Sequence, residues 1–273
     1  MTTAFPNNRI IYVSDADDER LAAYRSIKEK DLVGRQGLFI AEGKSVLNVA
    51  LRSERVGILS LLILENRLAG LEQQLALCPP ELPVYVVPSA VMDQVAGFHV
   101  HRGILAVGRQ AEVLNHRQLI ASLNQEALVV VLCGLTNHDN VGSIFRNAAA
   151  FAADAVLMDQ MCCDPLYRKA IRVSVGASLK TPYARSGTID EIIAELVKAG
   201  FEILALSPSG QMNIHDVKPV KRRALLLGTE GQGLPAHILN QLQSARIPMA
   251  EDFDSLNVAT ASGIALSRCS RFS

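Results

Sequence analysis

The chain has 273 residues, 49% of them hydrophobic, and its 27 Lys or Arg are balanced by 27 Asp or Glu. That length and apolar share can bury a sizeable core in one large or two modest domains, while zero net charge excludes a globally basic nucleic-acid binder, so any such partner is held by a local patch. No apolar run approaches the roughly 18 residues that cross a bilayer, the N-terminus lacks a basic stretch followed by a long apolar one, and the five cysteines show no CxxC spacing. The expectation is a soluble, cytoplasmic protein with buried free thiols, no membrane segment and no metal.

Residues 1–17 read as a lead-in. A helix follows, with Leu21, Tyr24 and Ile27 on one face and Asp15 or Asp17 as its cap. A strand at 38–41, a helix at 44–53, the strand LSLLIL from Leu59, a helix at 67–77, VYVV from Val84, a helix after Ser89 and the strand GILAVG from Gly103 complete a compact α/β unit over 18–109. Residues 110–126 turn polar around one helix at 116–123 and read as a linker. Beyond them ALVVVLCGL from Ala127 is a continuous apolar run, the pattern of a strand buried on both faces of a parallel sheet. DAVLMD from Asp154, FEILAL from Phe201 and RALLLG from Arg223 repeat it, with helical segments between them. Residues 127–273 are therefore expected to form a second α/β domain with an open, mostly parallel sheet.

Several local patterns lead nowhere. EGKSVLN from Glu42 has the GKS ending of a phosphate-binding loop, but that loop needs a glycine where Leu38 stands, and Gly37 misses by one. The glycines of GTEGQG, at 228, 231 and 233, do not match the GxGxxG dinucleotide fingerprint. His99 and His101 alternate along an expected strand without a companion set of metal ligands. Between Pro165 and Arg223 there are ten Lys or Arg against five Asp or Glu, a bias that fits either phosphate contacts or a solvated surface.

Three stretches carry more. In NHDNVGSIFRNAAAF (137–151), polar residues crowd the turn after the buried run, Gly142 permits close backbone approach, and Arg146 lies one helical turn further on. Ordinary capping by Asn140 and a surface ion pair of Arg146 explain it equally well in isolation. LLLGTEGQGL (225–234) ends an apolar run in three glycines and one carboxylate, Glu230, which suits a polar ligand bearing positive charge. In IPMAEDFDSLNVATASGIAL (247–266), Ser255 and Asn257 precede a helix of small side chains, and Ser255 is a natural cap.

The order and joint spacing of these stretches, N-x-G-x-x-x-R, L-G-x-E-G-x-G-L and I-P-M...S-L-N-V-A, resemble the SpoU (TrmH-like) branch of the SPOUT RNA methyltransferases. The likeness runs from Leu128 to Leu266 and includes RVSVGAS at 172–178. GLFIAEGKSVLNVAL and GILAV are similar to that family's small L30e-like RNA-binding domain. The resemblance implies an α/β trefoil-knot catalytic domain, a homodimer, and S-adenosyl-L-methionine as cofactor, with transfer of a methyl group to a ribose 2′-hydroxyl of RNA. It implies Arg146, Asn140, Glu230, Ser255 and Asn257 as catalytic residues. The implied cofactor residues are Leu206, Ser207, Gly228, Thr229, Glu230, Gly231, Gly233, Ile247, Met249, Ser255 and Leu256. RNA contacts fall to Arg168, Lys169, Arg172, Arg35 and Lys44, and the N-terminal domain favours rRNA over tRNA. Two departures stand out: AFAAD replaces the usual Gly after Ala-Phe, and HVHRGILAV replaces a TPQG-type approach to the strand. The competing readings are an RNA-binding assembly factor of the same fold without catalysis, and a base-directed methyltransferase.

Overall fold

The computed structural model describes residues 9–25 and 37–270, so Ile27 and Arg35 lie outside the described residues. The chain divides into two compact units, one made of 1–112 and 166–180, the other of 113–165 and 181–273. The basic helix Arg168–Val173 thus groups with the N-terminal unit, although it lies within the C-terminal half of the sequence.

The first unit is built on a five-stranded mixed sheet in the order β1-β4-β3-β5-β2. Its strands are β1 (Ile10–Tyr12), β2 (Leu38–Glu42), β3 (Val56–Leu64), β4 (Val84–Val87) and β5 (Ile104–Gln110). Strand β1 falls inside the segment read as a lead-in, and three residues pairing in parallel with β4 hold it there. Leu21 and Tyr24 are buried as expected, but on a 3-10 turn, Glu19–Tyr24, that Asp18 caps instead of Asp15 or Asp17. The GKS segment opens helix α1 (Lys44–Leu51) behind Gly43, whose φ of 91° needs no side chain. His99 and His101 sit in the loop before β5 and not on a strand; His99 Nδ1 is 2.8 Å from Asp93 Oδ2.

The second unit carries a seven-stranded sheet in the order β10-β12-β9-β11-β6-β7-β8, all of whose pairings are parallel. The four apolar runs become β6 (Ala127–Leu132), β7 (Ala155–Met158), β9 (Glu202–Leu206) and β11 (Arg222–Leu227). Every residue of β6 is buried, as a strand covered on both faces requires. The edge strands β8 (Tyr183–Arg185) and β10 (Met212–Asn213), and β12 (Gln243–Arg246) between β10 and β9, are short and mixed in polarity, which left them unread in the sequence. One face of the sheet packs Val129, Val131, Leu157, Ile192, Leu196 and Leu226 into a continuous core. No helix among the described residues is long and apolar enough to cross a membrane.

Candidate functional site

Four loops leave the C-terminal ends of the adjacent strands β12, β9, β11 and β6, beside the point where the strand order turns back between β11 and β7. In parallel sheets this is where ligands bind. The loop after β6 leads through Asn137 into a helix, His138–Ala150, and Asn137 is its cap, accepting from Asp139 N at 2.8 Å. Asn140 is therefore free of capping and buried in the first turn. The loop after β12 ends in the helix Val258–Cys269, capped by Asn257, whose Oδ1 accepts from Ala259 N at 2.9 Å and Thr260 N at 3.3 Å. Ser255, the cap expected from sequence, instead donates to Asp254 Oδ1 at 3.3 Å.

The loops after β12, β9 and β11 enclose a cavity of about 580 Å³, within the size range of small-molecule sites. Leu206 and Ser207 enter from β9; Gly228, Thr229, Glu230, Gly231 and Gly233 from β11; Ile247, Met249, Ser255 and Leu256 from the segment after β12. Every residue expected to touch the cofactor thus lines one space. Leu239, Ala245, Val258 and Ala261 line it too and escaped the sequence reading, although the small side chains at the start of the last helix were a signal for the final pair.

The glycines have steric reasons to be there. A Cβ on Gly228 would lie 2.5 Å from Gly233 C and Leu234 N, and one on Gly210 would lie 2.3 Å from Ala245 C. Gly231 and Gly233 have φ values of 86° and 67°, in the left-handed region that favours glycine. Thr229 closes the turn, its backbone oxygen accepting from Gly233 N at 3.0 Å and its Oγ1 donating to Gly233 O at 3.2 Å.

At the cavity rim three of the expected catalytic residues meet. Asn140 Nδ2 donates to Glu230 Oε1 in a short hydrogen bond. Asn257 Nδ2 donates to Asn140 Oδ1 at 2.9 Å and to Glu230 Oε1 at 3.1 Å. The carboxylate is held by two amides from two different helices, and both amides are oriented by their own second contacts. Arg146 is not part of this cluster. At about 100° per residue it stands roughly 120° around the helix from Asn140; it is exposed and makes no side-chain hydrogen bond or ion pair among the described residues.

Of the residues expected to meet RNA, the four that are described lie in the first unit, Arg168, Lys169 and Arg172 on one helix and Lys44 on another. Arg168 is engaged there, with Nη1 2.9 Å from Oε2 of the buried Glu42 and its guanidinium 4.3 Å from the Phe98 ring centroid. Lys44 is exposed and donates to Gly70 O at 2.8 Å; Lys169 and Arg172 are exposed on the helix Arg168–Val173. No group of three or more His, Cys, Asp or Glu side chains that could hold a metal occurs among the described residues. Burial is the main cause that raises the thiol pKa values, Cys133 being pushed up to about 12 and Cys163 to about 11, which keeps these sulfurs protonated near neutral pH.

Known proteins align with this architecture. The sequence model of the SpoU rRNA Methylase family matches residues 127–267. Proteins of Mycobacterium bovis and Mycobacterium tuberculosis, each named an uncharacterized tRNA/rRNA methyltransferase, are 40% identical over 93% of this chain and 89% of their own length. Among solved structures, an AdoMet-bound rRNA methyltransferase from Sinorhizobium meliloti superposes with a TM-score of 0.80 at 23% identity, covering 95% of this chain and 97% of that one. The SpoU methyltransferase AviRb from Streptomyces viridochromogenes gives 0.76 at 20% identity, covering 91% and 95%. These superpositions establish a shared α/β fold. With the family match spanning residues 127–267, just over half of the chain, and relatives 40% identical spanning nearly its whole length, the chain belongs to the SpoU rRNA methylase family.

Proposed function

We propose that this protein is an S-adenosyl-L-methionine-dependent RNA methyltransferase that modifies a ribose 2′-hydroxyl of rRNA, with tRNA as the alternative substrate, and works as a cytoplasmic homodimer. The observation that carries this reading is the meeting of Asn140, Glu230 and Asn257, from three separate segments, at the rim of one cavity. The residues present fit the cofactor. Leu206, Ile247, Met249 and Leu256 offer apolar walls, the glycine loop offers backbone polar groups, and Glu230 offers the one negative charge a sulfonium or ammonium calls for. The crowding around Gly228 leaves no room for a larger residue beneath such a ligand.

When bound, the cofactor supplies an electrophilic methyl group on its sulfonium. The chain's own residues then fix the RNA oxygen beside it and exclude water. A guanidinium keeps its proton in almost any protein setting, so Arg146 acts as a cation: it binds the neighbouring phosphate and stabilises charge developing on the ribose oxygen. Asn257 does not take the proton, because its oxygen is committed to capping and its nitrogen to donation. The proton goes to the Asp254 carboxylate by way of Ser255, whose hydroxyl takes it while giving its own to Asp254 Oδ1, or to a phosphate oxygen of the RNA. The trefoil knot belongs to the same reading; the close passage of the loop at Gly210 over Ala245 of β12 supports it. The family description and the relatives' printed names support an RNA substrate, and the N-terminal α/β unit supports a ribosomal one.

The test is incubation with methyl-labelled cofactor and separate rRNA and tRNA pools, followed by nucleoside digestion. Label travelling with the sugar of an rRNA nucleotide is expected. Label on a base assigns a base-directed enzyme, and cofactor binding without transfer to either pool overturns the catalytic reading.

A further inference from the structure

Asn147, directly after Arg146, has a side chain held by two hydrogen bonds to a second helix. Its Nδ2 donates to Ala259 O at 2.8 Å and to Ser262 Oγ at 2.9 Å, and Ser262 Oγ itself donates to Ala259 O at 2.7 Å. The three atoms close a ring between the helix His138–Ala150 and the helix Val258–Cys269. Ser262 is fully buried, and Gly263 keeps the space open: a Cβ there would stand 3.3 Å from Asn147 Nδ2.

Asn140 and Asn147 are seven residues apart, about two helical turns, and therefore share one face of the helix. Both bond to the same partner helix or its cap, Asn140 to Asn257 and Asn147 to Ala259 and Ser262. Two polar latches on one face fix the rotation and the axial position of the first helix against the second. Arg146 makes no side-chain bond of its own among the described residues. Its direction is set by the helix that carries it, and that helix is set by the latches. The partner helix in turn begins at the cavity wall with Asn257, Val258 and Ala261.

We infer that Asn147 is a positioning residue for methyl transfer, which aims Arg146 by locking its helix to the one that walls the cofactor cavity. This rests on the functional reading given above. Asn147 touches neither the cavity nor the RNA; it acts through Arg146.

A double-mutant cycle tests it. Asn147→Ala is expected to lower kcat about 10²-fold, the scale of a 1 Å misplacement of a reacting group, while the KM for cofactor and its calorimetric Kd stay within about threefold. In an Arg146→Ala background, measured by single turnover with excess enzyme, the same change is expected to cost less than about threefold, because the residue through which it acts is gone. Ser262→Ala, which leaves the Ala259 acceptor in place, is expected to follow with a smaller loss, and carries the same cycle if Asn147→Ala does not fold. Equal losses in both backgrounds, or a kcat for Asn147→Ala within threefold of wild type, overturns the positioning role. Absence of methyl transfer by the wild-type protein overturns the functional reading instead.

Discussion

Replacing Gly228 with alanine separates a steric demand on the cavity loop from a conformational one. Gly228 lacks the positive φ of Gly231 and Gly233, so alanine meets no backbone strain there. It meets Gly233 C and Leu234 N at 2.5 Å, against the 3.4 Å of ordinary contact, and that backbone must retreat by about 0.9 Å. Backbone atoms cannot rotate aside as a side chain can. Overpacking of this kind costs about 1–3 kcal/mol. Gly233 and Leu234 also line the cavity, so the displacement reaches the ligand, and a share of about 1.4 kcal/mol falling on the bound state weakens cofactor binding roughly tenfold. Urea denaturation and calorimetric titration with S-adenosylmethionine measure the two effects. Gly231→Ala is the control: open space surrounds it, and its left-handed φ alone costs about 1–2 kcal/mol. Gly231→Asn should recover part of that loss, since asparagine tolerates the left-handed region. A Gly228→Ala protein with the wild-type denaturation midpoint and the wild-type Kd would show that the loop does not fold back so closely.

Three further outcomes follow from the same geometry. Ala152 holds a φ of 52° after the helix His138–Ala150, in the left-handed region that favours glycine; Ala152→Gly should therefore raise stability by about 0.5–1 kcal/mol, relief of a 1–2 kcal/mol strain less glycine's extra unfolded-state entropy. A fall in the denaturation midpoint contradicts this. Asn257→Ser keeps a capping oxygen but loses both donations to Asn140 and Glu230; methyl transfer should drop about 10²-fold while stability changes by less than about 1 kcal/mol, and parallel loss of both would reduce Asn257 to a cap. The Cys133 thiol, raised to about 12 by burial and then by Asp159, keeps its proton in the folded protein when the unfolded chain has lost it. Stability is thus unaffected below about pH 8.5, the unfolded value, and declines as pH rises from there toward 12, by at most about 1.4 kcal/mol per pH unit for this group. Cys133→Ala should show a shallower decline in urea midpoints between pH 8 and 10.5, and an unchanged slope refutes the linkage.

What could be read from the sequence was what a single segment decides. Four continuous apolar runs marked β6, β7, β9 and β11 because a strand buried on both faces needs nothing but its own residues to be recognised. Strand β12, QSAR, carries no such signal; it is a strand only because β9 lies beside it. The same limit holds at the site. The residues on the cavity wall followed from the order of three motifs, but the exchange of caps, Asn137 for Asn140 and Asn257 for Ser255, did not, since each position offers an equally good capping oxygen. Only the fold decides which asparagine caps and which is released to hold Glu230. Asn147 was invisible for the same reason, its partners lying more than a hundred residues further on.

The basic helix Arg168–Val173 and the residues after it, through Lys180, take their packing from the first unit although the chain reaches them from the second. Ser53 Oγ donates to Leu179 O at 2.6 Å, and Gly176 lies against Val49. The two units are therefore not beads on a string that a single cut can part. A fragment begun at Val113 would contain every cavity residue, yet it would also carry Ile171, Ala177 and Leu179 stripped of their cover. Moving the first unit intact into another protein would require two stretches of chain, 1–112 and 166–180, to be transferred together.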